Sequence, residues 1–235
     1  MNINILNKAV KYYNVFKFIE INVPYIVDEA ISNRTKPKDR QNIFHYFHEQ
    51  NYSEVDPNRV YVASAEQSFI QLYKEGKLQI GRWMGLSPCL RDEPILDDLH
   101  YKMFLKLELI YIGSDDVNFM VEMARSFFIE HLNLKVEKIK TKEGVDLFYK
   151  NIELGSYGTR TMPDGLIYTY GTGLAEPRTS ICLEKNLMKD YSIYTMKCDC
   201  SKRMRIYGKT VKIFNDLAIR KCPNCGKLIY IRRKK

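Results

Sequence analysis

Apolar residues recur at helical spacing in some stretches of the chain and alternate with polar ones in others. Leu6, Val10, Tyr13 and Phe16 stand three to four apart over residues 6–18, which predicts a helix feeding an extended run, FIEINVPYIV. Pro24 interrupts that run, and a residue with no N–H to give a ladder argues for an edge or interface position. Residues 28–58 are polar and weakly periodic, so a long loop is expected there, with one short helix near residues 43–48. A short strand at 60–63 leads to Ser64, a suitable N-cap, and to a helix with Phe69, Ile70, Leu72 and Tyr73 inward, ended by Gly76. Asp115 and Asp116 can cap a helix over 117–132, whose Met120, Met123, Ala124, Phe127, Phe128 and His131 trace one face.

Three stretches read as strands. Residues 87–110, SPCLRDEPILDDLHYKMFLKLELI, form two apolar runs around a polar turn. VDLFYKNIELGSYGTR reads as a hairpin turning at Lys150 and Asn151, pairing Phe148 with Glu153 and Asp146 with Gly155. IYTYGTGLAEPRTSICLEKNLM offers a strand, Gly171 and Gly173, and Arg178 at the start of a helix; glycines there let backbone approach a ligand. The fold class expected is α/β, in the α+β sense: a mainly antiparallel sheet flanked by helices.

Charge divides the chain. The net charge is +9, and residues 197–235 hold thirteen Lys and Arg against Asp199 and Asp216, or +11, which leaves −2 for residues 1–196. We therefore expect a domain over 1–196 and a basic module over 197–235, the latter a candidate for nucleic-acid contact. No apolar run approaches the roughly 18–20 residues of a membrane helix, and the first residues lack a secretory layout, so a cytoplasmic location with no membrane partner is expected.

Four of the six cysteines, Cys198, Cys200, Cys222 and Cys225, lie in the basic module. Their spacing, with CPNCG forming a tight knuckle, resembles a zinc ribbon, and four thiolates suit a closed tetrahedral Zn2+ site. RMRIYGKTVKIFND between them alternates like a hairpin with Gly208 near its turn. Arg203, Arg205, Lys209, Lys212, Arg220, Lys227 and the closing RRKK would give it a basic surface for phosphate contacts. Cys89 and Cys182 stand singly in apolar surroundings and read as core.

The remaining candidates point to phosphate chemistry. Arg91, His100 and Phe104 around one turn would offer a guanidinium, an imidazole and a flat ring to a nucleoside triphosphate such as ATP. Asp146 and Glu153 on one hairpin face suit Mg2+, which takes one or two carboxylates plus phosphate oxygens. Glu66 falls in a first helical turn, where the helix dipole favours a carboxylate. His45 and His48 stand three apart, with no carboxylate or cysteine nearby to complete a metal site.

FIEINVP, then Arg91-Asp92-Glu93 with His100 and Phe104, then GTGLAEPR resemble motifs one, two and three of class II aminoacyl-tRNA synthetases, nearest the aspartyl, asparaginyl and lysyl subclass. The resemblance implies a sheet of class II synthetase type and a homodimer with Pro24 at its interface. It also implies adenylation of an amino acid at the expense of ATP. On it, Arg91 and Arg178 are the catalytic cations; Arg91, Glu93, His100, Phe104 and Arg178 bind ATP. Asp146 and Glu153 serve Mg2+, Glu66 meets the substrate ammonium and Arg160 an acidic side chain. The chain departs from the pattern in three ways. Phe69 stands where aspartyl enzymes carry lysine, motif three ends Glu176-Pro177-Arg178, and 235 residues leave no room for the anticodon-binding barrel. A full synthetase of that subclass is therefore not expected. A ligase acting on a tRNA-like acceptor leads. A paralogue making an amide on a small molecule or protein, in the manner of asparagine synthetase, and a silent dimeric nucleic-acid-binding module remain as alternatives.

Overall fold

The computed structural model describes residues 2–35, 45–47, 55–91, 93, 96–97, 99–191, 195–197, 200, 203–205, 212–214, 217–222 and 225–232. The chain divides into two compact units, Met1–Ser180 and Ile181–Lys235.

The first unit opens with helix α1 (Ile3–Val15), whose N-cap Asn2 accepts hydrogen bonds from the Asn4 and Ile5 amides. Strand β1 (Ile19–Glu20) follows, then β2 (Ile26–Asp28), α2 (Glu29–Thr35), β3 (His45–Phe47) and β4 (Val55–Tyr61). Next come α3 (Ala65–Lys74), β5 (Gly81–Leu90), β6 (Met103–Ile112), α4 (Val117–Ser126) and a π-helical turn, Phe127–His131. Strands β7 (Glu137–Lys140), β8 (Val145–Tyr149), β9 (Ile152–Thr161) and β10 (Ile167–Glu176) complete it. Gly76, at φ 70°, ends α3 as the pattern predicts.

Seven strands form one sheet in the order β1-β5-β6-β10-β9-β8-β7, antiparallel except where β1 runs parallel to β5. β2-β4-β3 form a second, three-stranded sheet. The helix expected near 43–48 is thus corrected: residues 45–47 extend along β4, because cross-strand pairing outranks the weak local helical pattern.

Two helices lie against one face of the large sheet, and glycines let them approach. A Cβ on Gly171 would collide with the Tyr157 ring and stand 2.6 Å from Met120 Sδ, and one on Gly173 would stand 3.0 Å from the Tyr13 ring. The reading of this glycine pair as a ligand approach is therefore corrected: the missing side chains make room for core residues of α1 and α4. On the opposite face, Phe69 and Ile70 of α3 pack with Ile110, Ile112, Tyr168 and Tyr170. The next inward positions of β6 beyond Ile110 are Glu108, Lys106 and Phe104, and α3 begins above them.

Helix α5 (Arg178–Tyr191) opens at the end of the first unit and continues past the division into the second. β11 (Thr195–Lys197) pairs with β12 (Arg203–Arg205), while β13 (Lys212–Phe214), β14 (Leu217–Lys221) and β15 (Leu228–Arg232) form a separate sheet. The hairpin expected across RMRIYGKTVKIFND is corrected accordingly: β12 joins β11, and β13 joins β14. Gly208 lies outside the described residues. Among the described residues no helix is long and apolar enough to cross a membrane.

Candidate active site

A cleft opens at the ends of β5 and β6, and Arg91, Glu93, His100, Phe104, Glu153 and Arg178 all line it. Arg91 follows β5 directly: its amide donates to the Lys102 carbonyl, and its Nε donates to the Ala63 carbonyl at 3.1 Å. The guanidinium carbon sits 5.0 Å from the centre of the Phe104 ring, over its face. His100 is held at the turn by Asp97, whose Oδ1 accepts from the amides of Leu99 and His100 and lies 2.9 Å from His100 Nδ1. Those donors hold the exposed Asp97 carboxyl below its usual value, the Leu99 amide first among them. Arg178, opening α5, donates to the Glu153 and Leu99 carbonyls at 3.2 and 3.3 Å. It thereby joins the hairpin of β8 and β9 to the turn before β6.

That hairpin keeps one of its two expected pairs. Phe148 stands opposite Glu153, but a register shift after Leu147 sets Leu147 against Gly155 and Asp146 against Ser156. The pairing of Asp146 with Gly155 is corrected by this bulge, which gives β9 one unpaired residue. Asp146 is half-buried and its Oδ1 has no hydrogen-bond partner among the described residues. Burial pushes its carboxyl up, a Ser156 hydrogen bond opposes this, and the negative charges of Glu153 and Glu143 push it up further. An orphaned carboxylate oxygen with a second carboxylate nearby fits a hard divalent cation.

Glu66 and Arg160 face one another. Glu66 is buried at 4% exposure. Arg160 NH1 donates to both of its carboxylate oxygens, at 2.9 and 2.6 Å, and the Tyr168 hydroxyl donates to Oε1 at 2.8 Å. The second Arg160 nitrogen reaches Glu143 at 3.0 Å, and the guanidinium lies over the Tyr170 ring. Burial pushes the Glu66 carboxyl above its usual range, and Arg160 pulls it back down. The helix dipole alone does not account for Glu66: it is half of a buried ion pair.

One residue that the sequence did not single out, Lys106, adds to the site. Lys106 lines the cleft with 12% of its side chain exposed, 2.7 Å from the fully buried Glu108. Ser64 donates to Glu108 at 2.6 Å instead of capping α3 with its hydroxyl. The alternation in FLKLELI was the available signal, since it places Lys106 and Glu108 on the face that carries Phe104.

In the second unit the sulfurs of Cys200, Cys222 and Cys225 lie within 4.8 Å of one another, and Cys198 lies outside the described residues. The Gly226 amide donates to the Cys222 carbonyl, closing the knuckle. Clustered thiols of this kind fit a soft tetrahedral ion such as zinc. Arg203 and Arg205 fall on β12, Lys212 on β13 and Arg220 on β14. His45 lies on β3, and Lys209 and His48 lie outside the described residues.

No protein-family model matches the chain, and no curated protein matches it in sequence. Solved structures do match in fold. A pyrrolysyl-tRNA synthetase from Desulfitobacterium hafniense superimposes with a TM-score of 0.59 at 16% identity, over 87% of this chain and 77% of that one. A second structure from that organism gives 0.59 and 16%, over 78% and 67%. A cytoplasmic serine-tRNA ligase from Naegleria fowleri in complex with AMP gives 0.57 at 15%, over 81% of this chain and 54% of that one. The fold is that of the class II synthetase core.

Proposed function

We propose that this chain is an ATP-dependent ligase that activates an amino acid or similar small carboxylate as its adenylate and passes it to an acceptor. The observation that carries this is the convergence of Arg91, Glu93, His100, Phe104 and Arg178 on one cleft of a class II synthetase fold. Phe104 stacks on the adenine and Glu93 reads its amino group. Arg91 holds the α-phosphate and the substrate carboxylate, His100 faces the outer phosphates, and Arg178 lies near the γ-phosphate.

A substrate carboxylate oxygen attacks the α-phosphorus in line, the bond to the bridging oxygen breaks, and pyrophosphate leaves with the electron pair. Charge builds on the phosphoryl oxygens, so the protein supplies position and positive charge. The attacking carboxylate is already ionised at neutral pH, so no general base is needed. Asp146 and Glu153 would hold Mg2+, which screens phosphate charge when bound. The substrate ammonium meets Glu66, and an acidic side chain meets Arg160, each replacing part of the ion pair that joins these two residues.

Cys198, Cys200, Cys222 and Cys225 hold structural zinc, and the basic module contacts a tRNA-like or other nucleic-acid acceptor. A homodimer forms through the Pro24 segment, where Ile19 and Tyr25 leave apolar surface exposed; sedimentation as a monomer at micromolar concentration would contradict this.

Pyrophosphate exchange with ATP across the twenty amino acids is the direct test. Exchange with one or a few is expected, and none with any would count heavily against amino acid activation. Deletion of residues 197–235 is expected to weaken binding of total tRNA and flatten its salt dependence; unchanged binding would remove the nucleic-acid acceptor.

A further inference from the structure

Phe104, Lys106 and Glu108 occupy successive inward positions of β6, beside Cys89, Ser87 and Gly85 of β5. Glu108 is 0% exposed and its Oε1 has no hydrogen-bond partner among the described residues. Its other oxygen is shared by Lys106 Nζ at 2.7 Å and Ser64 Oγ at 2.6 Å. Lys106 also donates to Ser64 Oγ at 3.2 Å. A buried ion pair is a poor source of stability, because desolvation offsets most of its attraction. Two apolar residues would fill this space at less cost. What the pair achieves is placement: it fixes an ammonium on the wall of the cleft.

The position suits one part of a nucleotide. Lys106 lies two residues along the strand from Phe104, or about 7 Å, comparable to the span from a base to its 5′-phosphate. Arg91 and Lys106 both line this cleft, Arg91 directly after β5 and Lys106 on the neighbouring β6. A phosphate held by Arg91 is therefore within the same cleft as the Lys106 ammonium.

We propose that Lys106 is a further phosphate-binding residue of this cleft: its ammonium moves from Glu108 toward the α-phosphate of a bound adenine nucleotide, with Glu108 and Ser64 as positioning residues. The inference rests on the cleft being a nucleotide site and adds a residue to it. During the reaction this places a third cation, with Arg91 and Arg178, where negative charge grows.

Adenosine and AMP, titrated calorimetrically against the full chain, isolate the phosphate contribution without knowledge of the amino acid. The unaltered chain is expected to prefer AMP. Lys106→Met paired with Glu108→Gln avoids stranding a buried charge and is expected to keep adenosine affinity within about twofold. AMP affinity should fall roughly tenfold or more, the usual worth of one charged hydrogen bond. Glu108→Gln alone keeps the ammonium but loses the charge that positions it, so AMP affinity should fall by less than in the double variant while adenosine affinity is unchanged. An AMP preference unchanged in the double variant would overturn the proposal, as would equal loss of adenosine and AMP affinity, which marks a purely structural pair. Failure of the unaltered chain to bind either probe would instead sink the nucleotide reading of the cleft itself.

Discussion

Arg160→Met tests whether the buried pair with Glu66 supports the fold. The substitution keeps an apolar stem and removes both NH1 contacts to the Glu66 carboxylate, leaving only the Tyr168 hydroxyl on a side chain that is 5% exposed. Stranding one member of a buried pair typically costs about 3–5 kcal/mol. Arg160 itself is 25% exposed, so water screens part of the attraction and the lower end applies, about 3 kcal/mol. For a unit of this size that corresponds to a fall in Tm of roughly 6–12 °C.

The loss should depend on pH with a definite sign. Burial already pushes the Glu66 carboxyl up, and removing Arg160 deletes the influence that lowers it. A group whose folded pKa is raised contributes stability that is complete below its unfolded value and is lost as pH rises through the folded value. Urea unfolding should therefore show a larger deficit at about pH 8 than at about pH 5. Arg160→Met combined with Glu66→Gln should recover stability to within about 1 kcal/mol of the unaltered chain, since neither charge is left buried. A loss below about 1 kcal/mol in the single variant, equal at both pH values, would refute a buried, coupled pair.

Gly171→Ala forces a methyl against the Tyr157 ring and within 2.6 Å of Met120 Sδ, and overpacking of this kind should cost about 1–3 kcal/mol in thermal or urea unfolding. A neutral result would mean that the sheet and α4 are not in close contact there. Cys222→Ser removes one of three clustered thiols and should release zinc in a chromophoric chelator assay while leaving pyrophosphate exchange largely intact. Loss of exchange together with zinc would show that the two units do not act separately.

Alternation and capping made several elements legible in the sequence. Asp116 caps α4 through the Phe119 amide, Gly76 closes α3, and the β8–β9 turn falls where Lys150 and Asn151 put it. Each rests on contacts within a few residues, which a sequence displays directly. The five cleft residues were legible as chemistry, because an arginine, a glutamate, a histidine, an aromatic ring and a second arginine fell in a recognisable order.

What the sequence left open were matters of register, face and partner. Period-two alternation says that Phe104, Lys106 and Glu108 share a face; only the packing of α3 and Ser64 over that face makes Glu108 buried and Lys106 part of a cleft. The bulge after Leu147 leaves no local mark, yet it sets Asp146 opposite Ser156. Glu66 reads locally as a carboxylate favoured by a helix dipole, and its partner Arg160 lies 94 residues away. The glycines of GTG read as an approach for ligand, although the space they leave is filled by α1 and α4. The physical reason is common to all four. Short-range pattern fixes which residues share a strand, a helix or a face, whereas burial, and with it the cost of an unpaired charge or the room for a methyl group, is set by elements distant in the chain.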